Sequence, residues 1–210
     1  HAVGIRLGSF LFWCNKPYSR GSVGLTSADP TTEPDVDFAM LSDSRDMARM
    51  KDAVRRLAEI FADPVLSAIA RDPFPSCYSE AVRRIGKVTT KNKILTNILA
   101  AIMDGPSPLR RAAVHFFITE GVTLANCLKD EAAMEEYVRN GTTGCWHPSG
   151  TCRMGRADDP LAVTDPAGRV YGLENLRVCD ASIFPCVPRA NTNIPTIMCA
   201  EKIADAILKA

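Results

Sequence analysis

The chain lacks an excess of either charge, and it lacks a long apolar run. Its 25 Lys and Arg residues nearly balance its 24 Asp and Glu residues, for a net charge of +1. Such a balance gives no reason to expect a nucleic acid or an anionic membrane surface as a partner. The best apolar candidate, residues 112–128, is interrupted by His115, Glu120 and Asn126, whereas a spanning helix needs about 20 apolar residues. We therefore expect no nucleic-acid binding and no membrane span.

Glycine-rich phosphate-binding loops are also missing. None of the 13 glycines has another glycine two positions away, so the chain has no G-x-G-x-x-G segment of the kind that opens an independent dinucleotide fold. A P-loop is absent as well. The sequence therefore predicts no phosphate-cradling loop within these 210 residues.

Histidine is scarce, with three residues, whereas cysteine occurs eight times. Cys145, His147 and Cys152 are close in sequence, but they include no C-x-x-C pair and no second histidine. Pro148 also stiffens the segment, so we expect no metal site. The cysteines are scattered, and several stand in apolar runs. This pattern favours reduced thiols and a cytoplasmic location over a disulfide framework.

Alternation and turn signals in the first forty residues predict antiparallel strands, over GSFLFW (8–13) and SVGLTS (22–27). After LSDS the apolar spacing becomes helical, with Ser or Asp available as the first N-cap. We expect the last helix of this group to be capped by Asp130. The predicted helices cover residues 45–61, 91–103, 109–128 and 131–139.

Small residues, turns and proline dominate from Gly141 to Val187. Within this stretch, the apolar run LRVCD (176–180) predicts a short buried strand. The chain then closes with a helix, for which Asn193 is the expected N-cap and Pro195 stands in the first turn, where no N–H is missed.

Two polar clusters stand out in this C-terminal part. Residues 144–155 read GCWHPSGTCRMG, with His147 between Trp146 and Pro148 in a glycine-rich loop. Such a histidine is either a structural residue satisfied in a turn or a group held for chemistry. RANTN (189–193) directly precedes the last helix, whose first N–H groups suit an anion or an electron-rich carbonyl. One asparagine suffices as a cap, so the other is free to face a ligand.

Three segments carry a resemblance to a known family: WHPSGTCRMG (146–155), DPLAVTDPAGRVYGLENLRVCDASIFP (159–185) and PRANTNIPTIMCAEKIADAI (188–207). They resemble the C-terminal part of the glucose–methanol–choline (GMC) oxidoreductases, FAD-dependent enzymes that oxidise alcohols. The resemblance is nearly unbroken over residues 144–208. SRGSVGLTSADPTTEPDVDFAML (19–41) is similar to the start of the family's substrate domain, and residues 45–139 match mainly in layout.

The resemblance implies an α+β fold in two parts. Residues 1–142 would form a substrate-binding domain, a mixed and mostly antiparallel sheet with helices on one face. Residues 143–210 would supply the catalytic loop and the C-terminal strand and helix of an FAD-binding α/β domain whose N-terminal half is missing. The chain begins with His1, and we expect it to be a C-terminal fragment that is inactive alone.

The resemblance also implies a catalytic pair, His147 and Asn191. A neutral imidazole can take the hydroxyl proton of a small alcohol, and an amide can hydrogen-bond the alcohol oxygen while a hydride leaves for the flavin. It further implies that FAD is approached by Trp146, Asp180, Ala181, Thr192, Asn193 and Pro195.

Two other functions stay open at this point. The same fold supports hydroxynitrile lyases, in which flavin is present without turning over. The resemblance implies that those enzymes have histidine at both positions of the pair, so Asn191 argues against a lyase. A non-catalytic remnant that acts as an interaction module is the third possibility.

Overall fold

The computed structural model of the protein describes residues 2–76 and 80–209. Within these residues, eight α-helices accompany one small antiparallel sheet, which confirms the α+β prediction. The strands are β1 (Ser22–Gly24) and β2 (Asp35–Asp37). The helices are α1 (Ser44–Ala62), α2 (Pro64–Ile69), α3 (Glu80–Gly86), α4 (Thr90–Asp104), α5 (Ser107–Phe117), α6 (Leu124–Lys129), α7 (Glu131–Gly141) and α8 (Asn193–Leu208).

The chain divides into two compact units. The first comprises residues 1–13 and 47–142, and the second comprises residues 14–46 and 143–210. One boundary falls between Thr142 and Thr143, and residues 14–46 group with the C-terminal residues. The assignment of substrate-binding and FAD-binding roles to domains 1–142 and 143–210 stays a prediction.

The predicted helices at residues 45–61, 91–103 and 131–139 are confirmed as α1, α4 and α7. Side-chain caps explain where two of them start. Thr89 accepts the Asn92 N–H at the start of α4, and Asp130 accepts the Ala132 and Ala133 N–H groups at the start of α7. Sequence reasoning missed α2 and α3. For α2 the signal was present, since Asp63 caps the helix and Pro64 is its first residue.

The single helix predicted over residues 109–128 is wrong, because the segment forms two helices. α5 ends at Phe117, and Glu120 and Gly121 then adopt positive φ angles of 50° and 92°, which an α-helix does not contain. The Gly121 N–H donates to the His115 carbonyl across the end of the helix, a bond typical of glycine stops. Thr123 then caps α6 by accepting the Asn126 N–H.

The sheet consists of two strands in the described part of the chain, with Val23 opposite Val36. The strand predicted over residues 8–13 is wrong, since these residues are neither helix nor strand. The Phe10 ring instead packs edge to face on Phe61 of α1, with 5.1 Å between ring centroids. The strand predicted over residues 176–180 is wrong, since Arg177 there makes an isolated bridge to Arg169 and no strand forms.

The described part of the first unit is built mainly from helices. α3 packs on α4, α4 on α5, and α6 on α7. Apolar side chains close its interior, among them Val54, Ala100, Ala113, Val114, Cys127, Met134 and Val138. Burial of these side chains stabilises the unit, since each fully buried Val or Met contributes roughly 1.5–3 kcal/mol.

A buried carboxylate links two segments of this unit. Asp72 follows α2 and accepts hydrogen bonds from Ser107, Arg110 and Arg111 of α5, with 2.7 Å between its Oδ2 and the Arg110 Nε. Burial raises the pKa of Asp72, but the hydrogen bonds from Arg111, Arg110 and Ser107 outweigh that effect and hold the pKa below its ordinary value. The ion pair therefore fixes the end of α2 to the start of α5.

A second buried carboxylate, that of Asp46, holds residues 18–19 in the second unit. Asp46 is 2% exposed. Its Oδ1 accepts the Tyr18 N–H at 3.0 Å, and its Oδ2 accepts the Ser19 N–H and O–H at 2.7 and 2.8 Å. Burial raises the pKa of Asp46, but these hydrogen bonds outweigh it, so the pKa lies below its ordinary value of 3.8. The carboxylate thus fixes the chain just ahead of β1.

No helix within the described residues is long and apolar enough to cross a membrane. Six cysteines of the described residues are free thiols: Cys127, Cys145, Cys152, Cys179, Cys186 and Cys199. The Cys14 thiol donates to the Asp46 Oδ1 at 3.6 Å. Cys77, which we also expected to be a thiol, lies outside the described residues.

Replacement of Asp46 by Asn should lower the free energy of unfolding by about 2 kcal/mol at neutral pH. Both carboxylate oxygens accept hydrogen bonds, so an amide NH₂ on either side would face an N–H donor. Urea unfolding of wild-type and Asp46→Asn protein measures the difference, and Asp35→Asn is the control because Asp35 is exposed.

The difference in the free energy of unfolding between wild type and Asp46→Asn should depend on pH. The folded-state pKa of Asp46 is lowered, so its stabilisation is present above the ordinary value of 3.8 and is lost as the pH falls through the lower folded-state pKa. The difference between wild type and Asp46→Asn should therefore shrink in acid. A difference as small as that of Asp35→Asn, or one that does not shrink, would contradict this account of Asp46.

Candidate functional site

His147 lies in an irregular loop that follows α7 and continues beyond Gly150. Trp146, just before it, adopts a positive φ of 57°, which is uncommon for a bulky residue, and its side chain is 90% exposed. His147 itself is half-buried. The two neighbouring rings thus differ in exposure, with the indole in solvent and the imidazole half-buried.

Three backbone hydrogen bonds hold the chain that follows. The N–H groups of Gly150, Cys152 and Met154 donate to the carbonyls of Ala181, Ser182 and Ile183, at 3.2, 2.9 and 2.7 Å. Every second residue of the loop segment therefore pairs with a successive residue of the other segment. We call this set of three bonds the loop ladder.

The acceptors of the loop ladder form a short 3₁₀ turn, Ala181–Ile183. Asp180 caps this turn, because its carboxylate accepts the Ser182 N–H at 2.7 Å. Ile183 is fully buried and forms a core with Phe184 and with Ile203 of α8. The hydrophobic contact joins the turn to α8, so the loop ladder connects the His147 loop to the last helix.

The prediction that Asn193 caps α8 is wrong. Thr192 occupies the cap position, and Asn193 is the first residue of the helix. The reason is that the Thr192 carbonyl already accepts the Thr196 N–H at 2.9 Å, which starts the helical hydrogen bonding one residue earlier. Pro195 stands in the first turn, as expected.

A side-chain hydrogen bond brings the two polar clusters together. The Thr192 Oγ1 lies 3.0 Å from the His147 Nδ1. Thr192 is 8% exposed, so the contact is largely shielded from water. The imidazole therefore lies at the start of α8. Its partner, Thr192, directly follows Asn191 in the chain.

The predicted residues differ in their exposure. Asn191 is exposed, and its side chain makes no hydrogen bond to the described residues. Asp180 and Asn193 are exposed, whereas Ala181 and Pro195 are half-buried. The structure thus joins His147 to Thr192 and fixes Asp180 and Ala181 through the turn, while Asn191 and Trp146 are left open at the surface.

Two features at this place suit an electron-rich group. Thr192 makes no side-chain cap, so its hydroxyl accepts no hydrogen bond from the first N–H groups of α8, those of Asn193 and Ile194. Ser149, two residues after His147, has a buried hydroxyl oxygen that bonds to no described residue. Sequence reasoning missed Ser149, although its place between Pro148 and Gly150 in the same motif was visible.

No group of three or more His, Cys, Asp or Glu side chains comes together as a metal site within residues 2–76 and 80–209. Cys145 is exposed and Cys152 is half-buried in the loop ladder.

Comparison with known proteins gives relatives over nearly the whole chain. Residues 17–200 match the C-terminal family model of the GMC oxidoreductases. The chain is 46% identical over 202 residues to a 5-(hydroxymethyl)furfural oxidase of Methylovorus sp. (strain MP688), a match that covers 96% of this chain and 31% of the relative. It is 32% identical over 194 residues to an oxygen-dependent choline dehydrogenase of Vibrio vulnificus (strain YJ016), covering 92% of this chain and 26% of the relative. The chain thus spans less than a third of the length of these curated relatives.

Solved structures are similar as well. A fungal aryl-alcohol oxidase superposes with a TM-score of 0.59 at 25% identity, over 92% of this chain and 24% of that one. A formate oxidase of Aspergillus oryzae RIB40 superposes with a TM-score of 0.60 at 22% identity, over 90% of this chain and 24% of that one. The second likeness concerns the fold alone.

Replacement of Gly150 by Ala should lower the free energy of unfolding by about 1–2 kcal/mol. Gly150 has a φ of 85°, and a Cβ there would stand 3.2 Å from the Phe184 carbonyl oxygen. The control is Gly144→Ala in the same loop, where a Cβ meets nothing within 4 Å. Urea unfolding of both variants measures the difference, and equal stability of the two would contradict a strained, ladder-bound Gly150.

Proposed function

The chain belongs to the GMC oxidoreductase family, and on that premise we propose that the protein oxidises the alcohol group of a small molecule to an aldehyde or ketone, with FAD as its cofactor. The resemblance drawn from its motifs is confirmed by the family match and by the two relatives. Their names, a 5-(hydroxymethyl)furfural oxidase and a choline dehydrogenase, both denote oxidation of an alcohol, which supports this class of substrate.

The observation that carries the proposal is the hydrogen bond between the His147 Nδ1 and the Thr192 Oγ1. It holds the imidazole at the start of α8 by one nitrogen. The other nitrogen, Nε2, makes no hydrogen bond to the described residues. A base needs such a nitrogen, held in place and open to the substrate.

The chain's own residues have complementary tasks in this reaction. The His147 Nε2 takes the hydroxyl proton of the alcohol, and the ring becomes an imidazolium. The Asn191 amide N–H donates to the substrate oxygen and orients it, so that the carbon faces the cofactor. FAD, when bound, supplies the acceptor for the hydride that leaves this carbon. The alcohol thus loses one proton and one hydride and becomes a carbonyl compound.

The residues present fit one edge of the cofactor. The uncapped N–H groups of Asn193 and Ile194 can meet an electron-rich edge, and a helix start favours negative charge there. The unsatisfied Ser149 hydroxyl is a further polar contact for this cofactor. We assign Trp146, Asp180, Ala181, Thr192, Asn193 and Pro195 to the FAD-facing side as part of the proposal.

Most of the FAD contacts would come from outside these residues. The chain covers less than a third of its relatives, and it has no dinucleotide-binding loop. Exposed apolar side chains on α8, Ile194, Ile197 and Met198, support the proposal that the FAD-binding half of the same protein packs here. A cytoplasmic location belongs to the same proposal, since six of the described cysteines are free thiols.

Replacement of His147 by Gln should slow reduction of the flavin by an alcohol about 10²–10⁴-fold, because the proton acceptor is removed. Anaerobic rapid mixing of full-length, FAD-loaded protein with an alcohol measures this rate through the bleaching of the flavin. The matched control is His115→Gln, which removes the imidazole of another half-buried histidine, in α5. Equal rates for His147→Gln and wild type would refute the base.

Replacement of Asn191 by Ala should raise the barrier to flavin reduction by about 1–3 kcal/mol, because the substrate oxygen loses its donor. The same rapid-mixing experiment measures the rate, and Asn97→Ala is the control because Asn97 is exposed on α4 of the first unit. Product analysis separates oxidation, which yields a carbonyl compound and reduced flavin, from cleavage of a hydroxynitrile, which leaves the flavin oxidised. Release of cyanide without bleaching would exclude alcohol oxidation.

A further inference from the structure

Thr192 occupies a cap position without acting as a cap. A threonine there usually adopts an extended backbone and accepts an N–H of the first turn with its hydroxyl. Thr192 has φ −77° and ψ −14°, which is helical, and it makes no side-chain cap. Its hydroxyl instead lies 3.0 Å from the His147 Nδ1. The side chain is therefore used for the imidazole and not for the helix.

The position of this hydroxyl is well fixed. The Thr192 carbonyl accepts both the Thr196 N–H at 2.9 Å and the Thr196 O–H at 2.7 Å. The residue is buried, and a β-branched side chain has few rotamers. The oxygen that meets His147 thus belongs to the rigid start of α8.

The hydrogen bond also bears on which nitrogen of the imidazole carries the proton. A neutral imidazole has one N–H and one bare nitrogen, and a hydroxyl can pair with either. If the Nδ1 carries the proton and donates to the Thr192 oxygen, the Nε2 is bare and can act as a base. If the hydroxyl donates to the Nδ1, the proton is on the Nε2 and the base is blocked.

We propose that Thr192 is a positioning residue, which accepts the Nδ1–H of His147 and thereby keeps the Nε2 bare and aimed at the substrate. This role rests on the proposed function of His147 as the base. The same hydrogen bond survives proton uptake, since both nitrogens of an imidazolium are donors. Among the described residues no ion pair joins His147 to a carboxylate, so an uncharged oxygen does the task that a carboxylate has in serine-protease triads.

The rate test uses the full-length, FAD-loaded protein and three variants. Thr192→Val keeps the branched shape and removes the hydroxyl, so it should lower the rate of flavin reduction about 10- to 100-fold, with a much smaller change in KM. Thr192→Ser keeps the hydroxyl and should restore most of the rate. Thr96→Val removes another buried threonine hydroxyl, which in α4 donates to the Asn92 and Lys93 carbonyls, and it should leave the rate unchanged. Equal loss in the Val variants, or no rescue by Ser, would reduce Thr192 to a structural residue.

The protonation test needs no turnover. In protein labelled with ¹⁵N-histidine, the His147 signals are assigned by their loss in His147→Gln, and their shifts report which nitrogen carries the proton. We expect the proton on the Nδ1 in wild type and a mixture of both forms in Thr192→Val. A proton on the Nε2 of wild type would overturn the proposal, even if Thr192→Val failed to fold. If no alcohol bleaches the wild-type flavin, the proposed function fails, whereas this measurement still decides what Thr192 does.

Discussion

The second unit depends on the loop ladder, the three backbone hydrogen bonds that tie residues 150–154 to the turn at residues 181–183. The turn carries Ile183 and Phe184 into a core shared with Ile203 of α8. Loop, turn and helix are therefore held by one set of contacts. The His147 loop has no helix or strand of its own, so its order comes from these tertiary bonds and from the Thr192 contact.

The start of α8 combines two properties that a normally capped helix would not offer together. The Thr192 hydroxyl is turned to His147, and the first N–H groups of the helix receive no side-chain cap. A capping Thr would satisfy one of these N–H groups and leave the imidazole without a partner. The start of α8 thus lacks the stabilisation of a side-chain cap, but it has both an oriented imidazole and free N–H donors in one place. Such a local departure from the preferred pattern is typical of functional sites.

The sequence was sufficient for those elements whose signals are local. α1, α4 and α7 followed from apolar spacing and caps, and the motifs around His147 and Asn191 identified the family. Other features depend on tertiary contacts. The break at Glu120 and Gly121 required a non-glycine residue at positive φ, which an apolar pattern does not reveal. The prediction of an N-terminal strand was wrong because Phe10 packs on a helix. The prediction that Asn193 is the cap was wrong because the carbonyl of Thr192 starts the helix one residue earlier. Nothing in the letters RANTN indicated that the threonine, and not an asparagine, would reach His147.

The exposed ring of Trp146 gives this site a spectroscopic label of its own. The chain contains two tryptophans, Trp13 in the first unit and Trp146 beside His147 in the second. A Trp13→Phe protein would keep one indole within this chain, and its fluorescence would arise from the loop that the ladder holds. An isoalloxazine ring brought close to that indole would quench the emission by energy transfer. Arrival of the proposed FAD cofactor at the His147 loop could thus be followed in time by fluorescence, without any substrate present.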